Sequence, residues 1–301
     1  MASVPLIKPQ TLFGRDEWAR MIAPIPGMGM MLVIHCWALI VAAAALFIVW
    51  PNPFTYVLAV MVIGARQLGL AILMHEGAHG LLARNKRLND ILGGALTGTI
   101  VGADIKAYRD YHLKHHKYAQ QAEDPDLVLS EKFPVTRASL RRKIIRDLTG
   151  QTFFKQRIAP LFARDSGPIF SGVNGKFLAA NAILFALCAL AGYWWAYVAL
   201  WLVPLATWNP LVTRLRNIGE HACVGNEPDP WKVARTTRAN AIERLLLAPY
   251  WVHYHSEHHL FMYAPCYRLA RIHEALKARG VTEKMHVADG YWPVLRAASA
   301  A

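Results

Sequence analysis

One stretch of the chain, FTYVLAVMVIGARQLGLAILMHEGAH from Phe54 to His79, decides the fold. Its apolar part ends at Met74 and is long enough to cross the roughly 30 Å of hydrocarbon in a bilayer at about 1.5 Å per residue. His75 and His79 follow at the end of this span, and residues four apart lie on one face of a helix. The stretch therefore predicts a membrane protein that presents imidazoles at one face of the bilayer.

Three further apolar segments extend this to an all-α integral membrane fold of about four transmembrane helices. A Gly-rich segment at residues 91–105 is too short to cross, and it is expected to be re-entrant or interfacial. The chain is predicted to be one membrane-embedded domain over residues 1–301. The spans are expected at about residues 29–50, 54–74, 177–192 and 194–212.

The composition agrees with alternating apolar spans and basic segments. The 301 residues are 54% hydrophobic, yet 33 Lys and Arg against 20 Asp and Glu give a formal charge of +13. The apolar content excludes disorder, and 4 Cys exclude a disulfide scaffold. Lys and Arg concentrate in residues 105–176 and 213–301, so the positive-inside rule predicts that both segments form a helical cytoplasmic cap and that both termini are cytoplasmic. The membrane face explains the charge, so no nucleic-acid partner is expected.

Histidine is abundant and clustered. Three motifs stand out among the 13 histidines: HEGAH at 75–79, HLKHH at 112–116 and HSEHH at 255–259. Asn217 and His221 repeat the four-residue spacing after the last span. On a helix, residues at i, i+3 and i+4 share a face, so each motif is expected to present its imidazoles to a single point. The candidate metal ligands are His75, His79, His112, His115, His116, His221, His255, His258 and His259.

These nine imidazoles are too many for one ion of four to six ligands and are a natural supply for two ions. Imidazole suits Zn, Fe, Cu and Ni, but zinc has no redox chemistry. A pair of iron ions with O2 as co-substrate accounts for the histidines beyond the ligand number of one ion.

Acidic residues lie in or beside the histidine motifs. Metal-bound histidines usually donate their other N–H to an acid or a carbonyl. Glu257 and Asp124 are expected in this role, and His253 is expected beside the ligands. His35, His273 and His286 are isolated and are expected to be ordinary side chains.

The order of HEGAH, HLKHH and HSEHH, with spans before the first and between the second and third, resembles the membrane fatty acid desaturase family. These are integral-membrane di-iron enzymes with three histidine boxes. The resemblance covers roughly Gly64 to Leu276. NIGEH at 217–221 is similar to the family's additional Asn-x-x-x-His, which implies that His221 is a ligand and that Asn217 reaches the metal through water. One departure is the sequence Met262 to Ala264 before Pro265, where many acyl-lipid members have a proline sooner.

The resemblance implies an O2-dependent desaturase that introduces a double bond into the acyl chain of a fatty acid or membrane lipid. A carotenoid, isoprenoid or lipid hydroxylase or ketolase of the same superfamily is the alternative, because the boxes are the same for both outcomes. Electrons are expected from a separate ferredoxin- or cytochrome b5-like carrier, since the chain shows no cytochrome b5-like segment. Arg66 or Gln67 inside the second span is a candidate for holding a polar headgroup, although Arg66 could instead pair with an acid.

HEGAH also fits HExxH, the pattern of zinc metalloproteases in which Glu is the general base. An intramembrane protease is therefore a distant alternative, and it leaves both HxxHH motifs unexplained.

Overall fold

The computed structural model describes residues 3–162 and 172–300, and most of its described residues are helical. Residues 163–171 of the predicted cap lie outside the described residues. Four helical segments are long and apolar enough to cross a membrane, which confirms the number of spans. They are α2 (Met28–Val49), α3 (Pro53–Ala78), α9 (Gly172–Leu190) and a composite fourth span (Trp194–His221).

The turn between α2 and α3 is built by local capping. The Asn52 side chain accepts a hydrogen bond from the Thr55 backbone N–H at 3.0 Å, and Pro53 occupies the first turn of α3. An Asn N-cap followed by Pro at the first helical position is a strong helix start. Helix α3 then runs without a break to the first histidine motif.

The fourth span is assembled from several helical pieces and is longer than predicted. Where the sequence placed its end near residue 212, the helix continues to His221 and so carries Asn217 and His221 on its last turns. Thr207, with φ −122° and ψ −73°, separates the last two pieces. The pieces are α10 (Trp194–Ala196), a π-helical stretch (Tyr197–Leu202), α11 (Val203–Ala206) and α12 (Trp208–His221).

The Gly-rich segment is not among the four candidate spans of the described residues, in line with its short length. It forms α4 (Lys86–Asp90), a π-helical stretch (Ile91–Gly98) and a 3-10 turn (Thr99–Val101). This segment packs against the end of α3, where a Cβ on Gly93 would lie 3.1 Å from the Gly77 Cα. Two glycines thus allow the segment to approach the backbone of the first histidine motif.

The other helices lie around the ends of the spans that carry the histidines. A short parallel sheet pairs β1 (Arg235–Thr237) with β2 (His286–Ala288) and connects the C-terminal region to α12 and α14. The remaining helices are α1 (Arg15–Ile22), α5 (Ile105–Tyr118), α6 (Leu127–Ser130), α7 (Arg137–Leu148), α8 (Gln151–Phe153) with a π-helical stretch (Phe154–Ile158) and a 3-10 turn (Ala159–Phe162), α13 (Ala241–Leu246), α14 (His255–Leu260), α15 (Cys266–Ala278) and α16 (Tyr291–Ala298), with 3-10 turns at Pro9–Thr11 and Val281–Lys284.

The start of α2 touches the loop that follows the first histidine motif. A Cβ on Gly29 would lie 2.1 Å from the Leu82 carbonyl oxygen and 2.5 Å from its Cα, and backbone cannot yield as a flexible side chain does. We expect Gly29→Ala to lower the stability of the protein by about 1–3 kcal/mol through overpacking. Thermal unfolding of the purified protein in detergent measures this.

Gly14→Ala is the matched control, because a Cβ at Gly14 meets only the Glu17 Cβ at 4.0 Å and the backbone there is extended. Equal melting temperatures for the two variants would show that α2 does not pack against the Leu82 backbone as described.

Candidate metal centre

The ends of four helices bring the nine candidate histidines together. Helix α3 supplies the first motif, α5 the second, α12 His221 and α14 the third. Each of the nine side chains is buried, with at most 9% of its surface exposed. They form two groups, within each of which the candidate ligand atoms lie within 4.8 Å of one another. The first group is His75, His79, His112, His116 and His258, and the second is His115, His221, His255 and His259.

The division into groups corrects one prediction. The two HxxHH motifs do not each point to a single place, because the i and i+4 histidines join one group and the i+3 histidine joins the other. In HLKHH it is His115 that diverges, and in HSEHH it is His258. Consecutive residues on a helix are about 100° apart, so neighbouring histidines face different directions. Helices α5 and α14 therefore each contribute to both groups.

Within each group the Nε2 atoms converge. In the first group, His258 Nε2 lies 2.9 Å from Nε2 of both His75 and His116. In the second group, His255 Nε2 lies 2.9 Å from His221 Nε2 and 3.2 Å from His259 Nε2. Two nitrogens bound to one metal at roughly 2.0–2.1 Å and at a right angle are about 2.9 Å apart. The spacing is therefore that of ligands around a common ion.

Hydrogen bonding within the protein does not satisfy these imidazoles. Both ring nitrogens of His79, and Nδ1 of His112 and of His258, are buried without a hydrogen-bond partner among the described residues. A buried polar atom left in this state costs about 1–3 kcal/mol. A metal ion bound by the first group would use the Nε2 lone pair of His79 together with the converging Nε2 atoms of its neighbours, so the donor set fits metal binding.

Electrostatics keep these side chains in the form that binds metal. Burial lowers the pKa of His79 to about 4. For five histidines on α5 and α14, burial is again the main cause of a lowered pKa, and the neighbouring imidazoles lower that pKa further. A neutral imidazole offers its lone pair to a metal. The pKa is lowered well below the ordinary value for His112, His116, His255, His258 and His259.

Comparison with known proteins agrees with this geometry. A family model described as fatty acid desaturase matches residues 50–289, which include all three histidine motifs. The chain belongs to the fatty acid desaturase family.

Two curated relatives are similar over much of the chain. Dihydrorhizobitoxine desaturase of Bradyrhizobium elkanii is 28% identical over 272 residues, covering 84% of this chain and 75% of that protein. Zeaxanthin 4-ketolase of Chlamydomonas reinhardtii is 26% identical over 222 residues, covering 70% of this chain but only 42% of that protein. Both names describe oxidoreductases, and this member of the desaturase family is an oxidoreductase as well.

Two histidines of the second group are oriented through Nδ1. His115 Nδ1 lies 2.8 Å from Asp124 Oδ1, and His221 Nδ1 lies 3.0 Å from the Val233 carbonyl oxygen. Both contacts place the N–H on Nδ1 and leave Nε2 free for a metal. Asp124 thus lies where the sequence expected it, and its carboxylate is itself fixed by the Gln120 and Asp126 backbone N–H groups.

Glu257 has a different role from the one expected. None of the nine histidines is among its hydrogen-bond partners in the described chain. Its Oε1 instead accepts from His273 Nδ1 at 2.6 Å, and its Oε2 accepts from the Thr236 hydroxyl. His273 lies on α15 and is buried, so it is not the isolated side chain that the sequence suggested.

Helix α15 is also held by the first motif. Glu76 is buried, and its Oε2 accepts a hydrogen bond from the Cys266 backbone N–H at 2.9 Å, at the first residue of α15. The carboxylates inside HEGAH and HSEHH therefore both anchor α15. This use of Glu76 does not favour a protease, in which the carboxylate must be free to act on water.

His253 is not brought into either group. It is buried and lies against the Tyr254 ring, with ring centroids 4.4 Å apart, and both of its ring nitrogens lack hydrogen-bond partners among the described residues. In the described chain, His253 therefore makes no hydrogen bond or ring contact to the candidate ligands that it was predicted to support.

The polar residues of α12 lie where the two groups meet. Asn217 lines a small pocket with His112 of the first group and with three histidines of the second. The Glu220 carboxylate accepts from Arg216 Nε at 2.6 Å, and its other oxygen lies 3.5 Å from His255 Nε2. The spacing of four residues between Arg216 and Glu220 is the sequence signal that could have found this ion pair.

A cavity of about 280 Å³ lies between α3, α12 and residues 152–157, and its lining includes both His75 and Asn217. Gln67 lines this cavity, but Arg66 does not. The Arg66 guanidinium donates to the carbonyl oxygens of Arg244 and Leu245, at 3.0 and 2.7 Å. Arg66 has no acidic partner among the described residues, and its guanidinium anchors the end of α13 to the second span.

We expect His273→Leu to lower both the melting temperature and the iron content of the protein. The change removes one of the two side-chain partners of a fully buried carboxylate, at a cost of about 1–3 kcal/mol, and loosens α14 from α15. Metal analysis and thermal unfolding of the purified variant measure the two effects.

His286→Leu, the same substitution at a half-buried histidine that makes no hydrogen bond to Glu257 in the described chain, is the control and should retain its iron. Adding Glu257→Gln to His273→Leu should restore part of the stability, since no buried charge is then left underpartnered. Unchanged iron content in His273→Leu would contradict the anchoring role of α15.

Proposed function

We propose that this protein uses two iron ions and O2 to introduce a double bond into the acyl chain of a membrane-soluble lipid. The observation that carries the proposal is the convergence of nine buried histidines in two groups beside a cavity that begins within the spans. Family membership supports the choice of iron and O2.

The overall reaction balances as follows. Two adjacent methylenes lose two hydrogens with their electrons, and two further electrons and two protons are supplied from outside. Together these reduce one O2 to two water molecules and leave a carbon–carbon double bond. When bound, the iron pair supplies the redox chemistry that activates O2 against an unactivated C–H bond.

The chain's own residues position and shield that chemistry. The Asp124 carboxylate and the Val233 carbonyl orient His115 and His221. Burial of all nine imidazoles excludes bulk water from the place where the substrate reacts. Helix α15 keeps the first and third motifs in register through Glu76 and Glu257.

A separate ferredoxin- or cytochrome b5-like protein is proposed to supply the two electrons. The formal charge of +13 suits an acidic carrier, because opposite charges speed the encounter of two proteins. By the positive-inside rule, the basic segments and the metal centre are proposed to face the cytoplasm.

Oxidation to an alcohol or ketone is the second candidate. The name of the relative zeaxanthin 4-ketolase favours it, and the histidines serve either outcome. In hydroxylation, one oxygen atom of O2 enters the C–H bond and the other leaves as water, with the same two electrons and two protons.

We expect the purified protein to contain about two iron ions per chain, since its imidazoles divide into two ligand groups. His115→Ala should lower the iron content and abolish lipid oxidation, because His115 is a candidate ligand in the second group. Metal analysis, together with mass spectrometry of lipids and pigments from cells with and without the protein, measures both.

His35→Ala is the control variant, because His35 lies on α2 and contacts Tyr250 rather than either group. It should retain both the iron and the change in lipids. A single zinc per chain, or a lipid and pigment profile that the protein does not alter, would overturn the proposal.

A further inference from the structure

The cavity beside the metal centre has an unusual polar end. Gln67 lines it from α3, eight residues before His75, which corresponds to about 12 Å of helix rise. The Gln67 side chain is fully buried in the middle of an apolar span. A polar group at this depth needs a partner, and it is a functional candidate by default.

Only half of the Gln67 amide has such a partner. Its Nε2 donates to the Trp201 carbonyl oxygen at 2.9 Å, and this contact fixes the orientation of the amide because a carbonyl can only accept. The Oε1 atom is buried and has no hydrogen-bond partner among the described residues. Oε1 is therefore a buried hydrogen-bond acceptor that has no donor in the described chain.

The charged residues of the cavity are already engaged. Arg214 binds Asp147 through two hydrogen bonds of 2.5 and 2.8 Å. The Arg157 guanidinium donates to the carbonyl oxygens of Gly102 and Val101. Among the residues that line the cavity outside the histidine groups, Gln67 is the one with a buried side-chain atom, Oε1, that lacks a hydrogen-bond partner in the described chain.

The same surroundings indicate the chemistry of the missing donor. Guanidinium groups line the cavity at Arg157, Arg214 and Arg216, and their positive charge disfavours a buried ammonium group. A hydroxyl group donates a hydrogen bond without carrying a charge. The volume of about 280 Å³ is just below the roughly 300–1,000 Å³ that is typical of small-molecule sites.

We propose that the substrate carries a hydroxyl group that donates to Gln67 Oε1, with the carbon to be oxidised on the order of 12 Å away, beside His75. This deepens the proposed function and rests on it for the identity of the reacting end. A plain methyl-ended chain would leave the Gln67 acceptor buried and unsatisfied.

A matched pair of probes isolates the donor. Normal decanol and methyl decyl ether share an apolar chain, but only the alcohol can donate a hydrogen bond. Binding of each to the protein in nanodiscs is measured by isothermal titration, with empty nanodiscs subtracted. We expect the wild-type protein to bind the alcohol about tenfold more tightly, the effect of one hydrogen bond to an otherwise unsatisfied buried group.

Gln67→Leu should bind the two probes equally. Gln156→Leu, the same substitution at an exposed residue of the same cavity lining, should keep the preference for the alcohol. Equal binding of the probes by the wild-type protein overturns the proposal even if Gln67→Leu fails to fold, and so does a preference that survives in Gln67→Leu.

The titration requires neither iron nor turnover, so it separates the two proposals. If the protein lacks iron and leaves lipids unchanged, the proposed function fails while the preference for the alcohol still tests the cavity. If the probes bind equally, the inferred hydroxyl is wrong while lipid oxidation stands.

Discussion

The rest of the structure depends on holding nine imidazoles in two buried groups, within which some Nε2 atoms lie only 2.9 Å apart. Lone pairs at this separation do not satisfy one another, and a neutral imidazole has only one N–H to donate. The arrangement is therefore unfavourable by itself and must be imposed by the surrounding helices. Binding of cations converts the same arrangement into a favourable one.

The helices meet this requirement through a few buried contacts outside the ligands. Helix α15 receives a carboxylate at its start from Glu76 and another, through His273, from Glu257. Those two residues lie inside the first and third motifs, so one helix fixes the relative positions of α3 and α14. Asp124 and the Val233 carbonyl orient histidines from α5 and α12 in the same way. Each helix that supplies ligands thus has its own anchor.

The sequence predicted the spans and the candidate ligands because both signals are local. Apolar length marks a transmembrane helix, and the four-residue spacing marks a shared face. It did not predict how HLKHH and HSEHH divide between the groups, since this depends on where other helices lie around α5 and α14. His273 was missed because it lies outside every histidine motif, 16 residues from its partner Glu257, and only the packing of α15 against α14 brings the two together. The extension of α12 to His221 was missed because hydropathy falls before the helix ends.

The metal centre and the cavity place different constraints on function. The histidine groups fit a metal pair in a desaturase and in a ketolase alike, so they leave the product of the reaction open. The residues that decide between the two products must then be those that position one carbon of the substrate near the metals. They are expected on α3 and α12, which line the cavity. Gln67 occupies this surface at a fixed rise from His75 along one continuous helix. Because that helix carries both Gln67 and the first candidate ligands, it would itself set the distance between the proposed hydroxyl at Gln67 and the carbon beside His75.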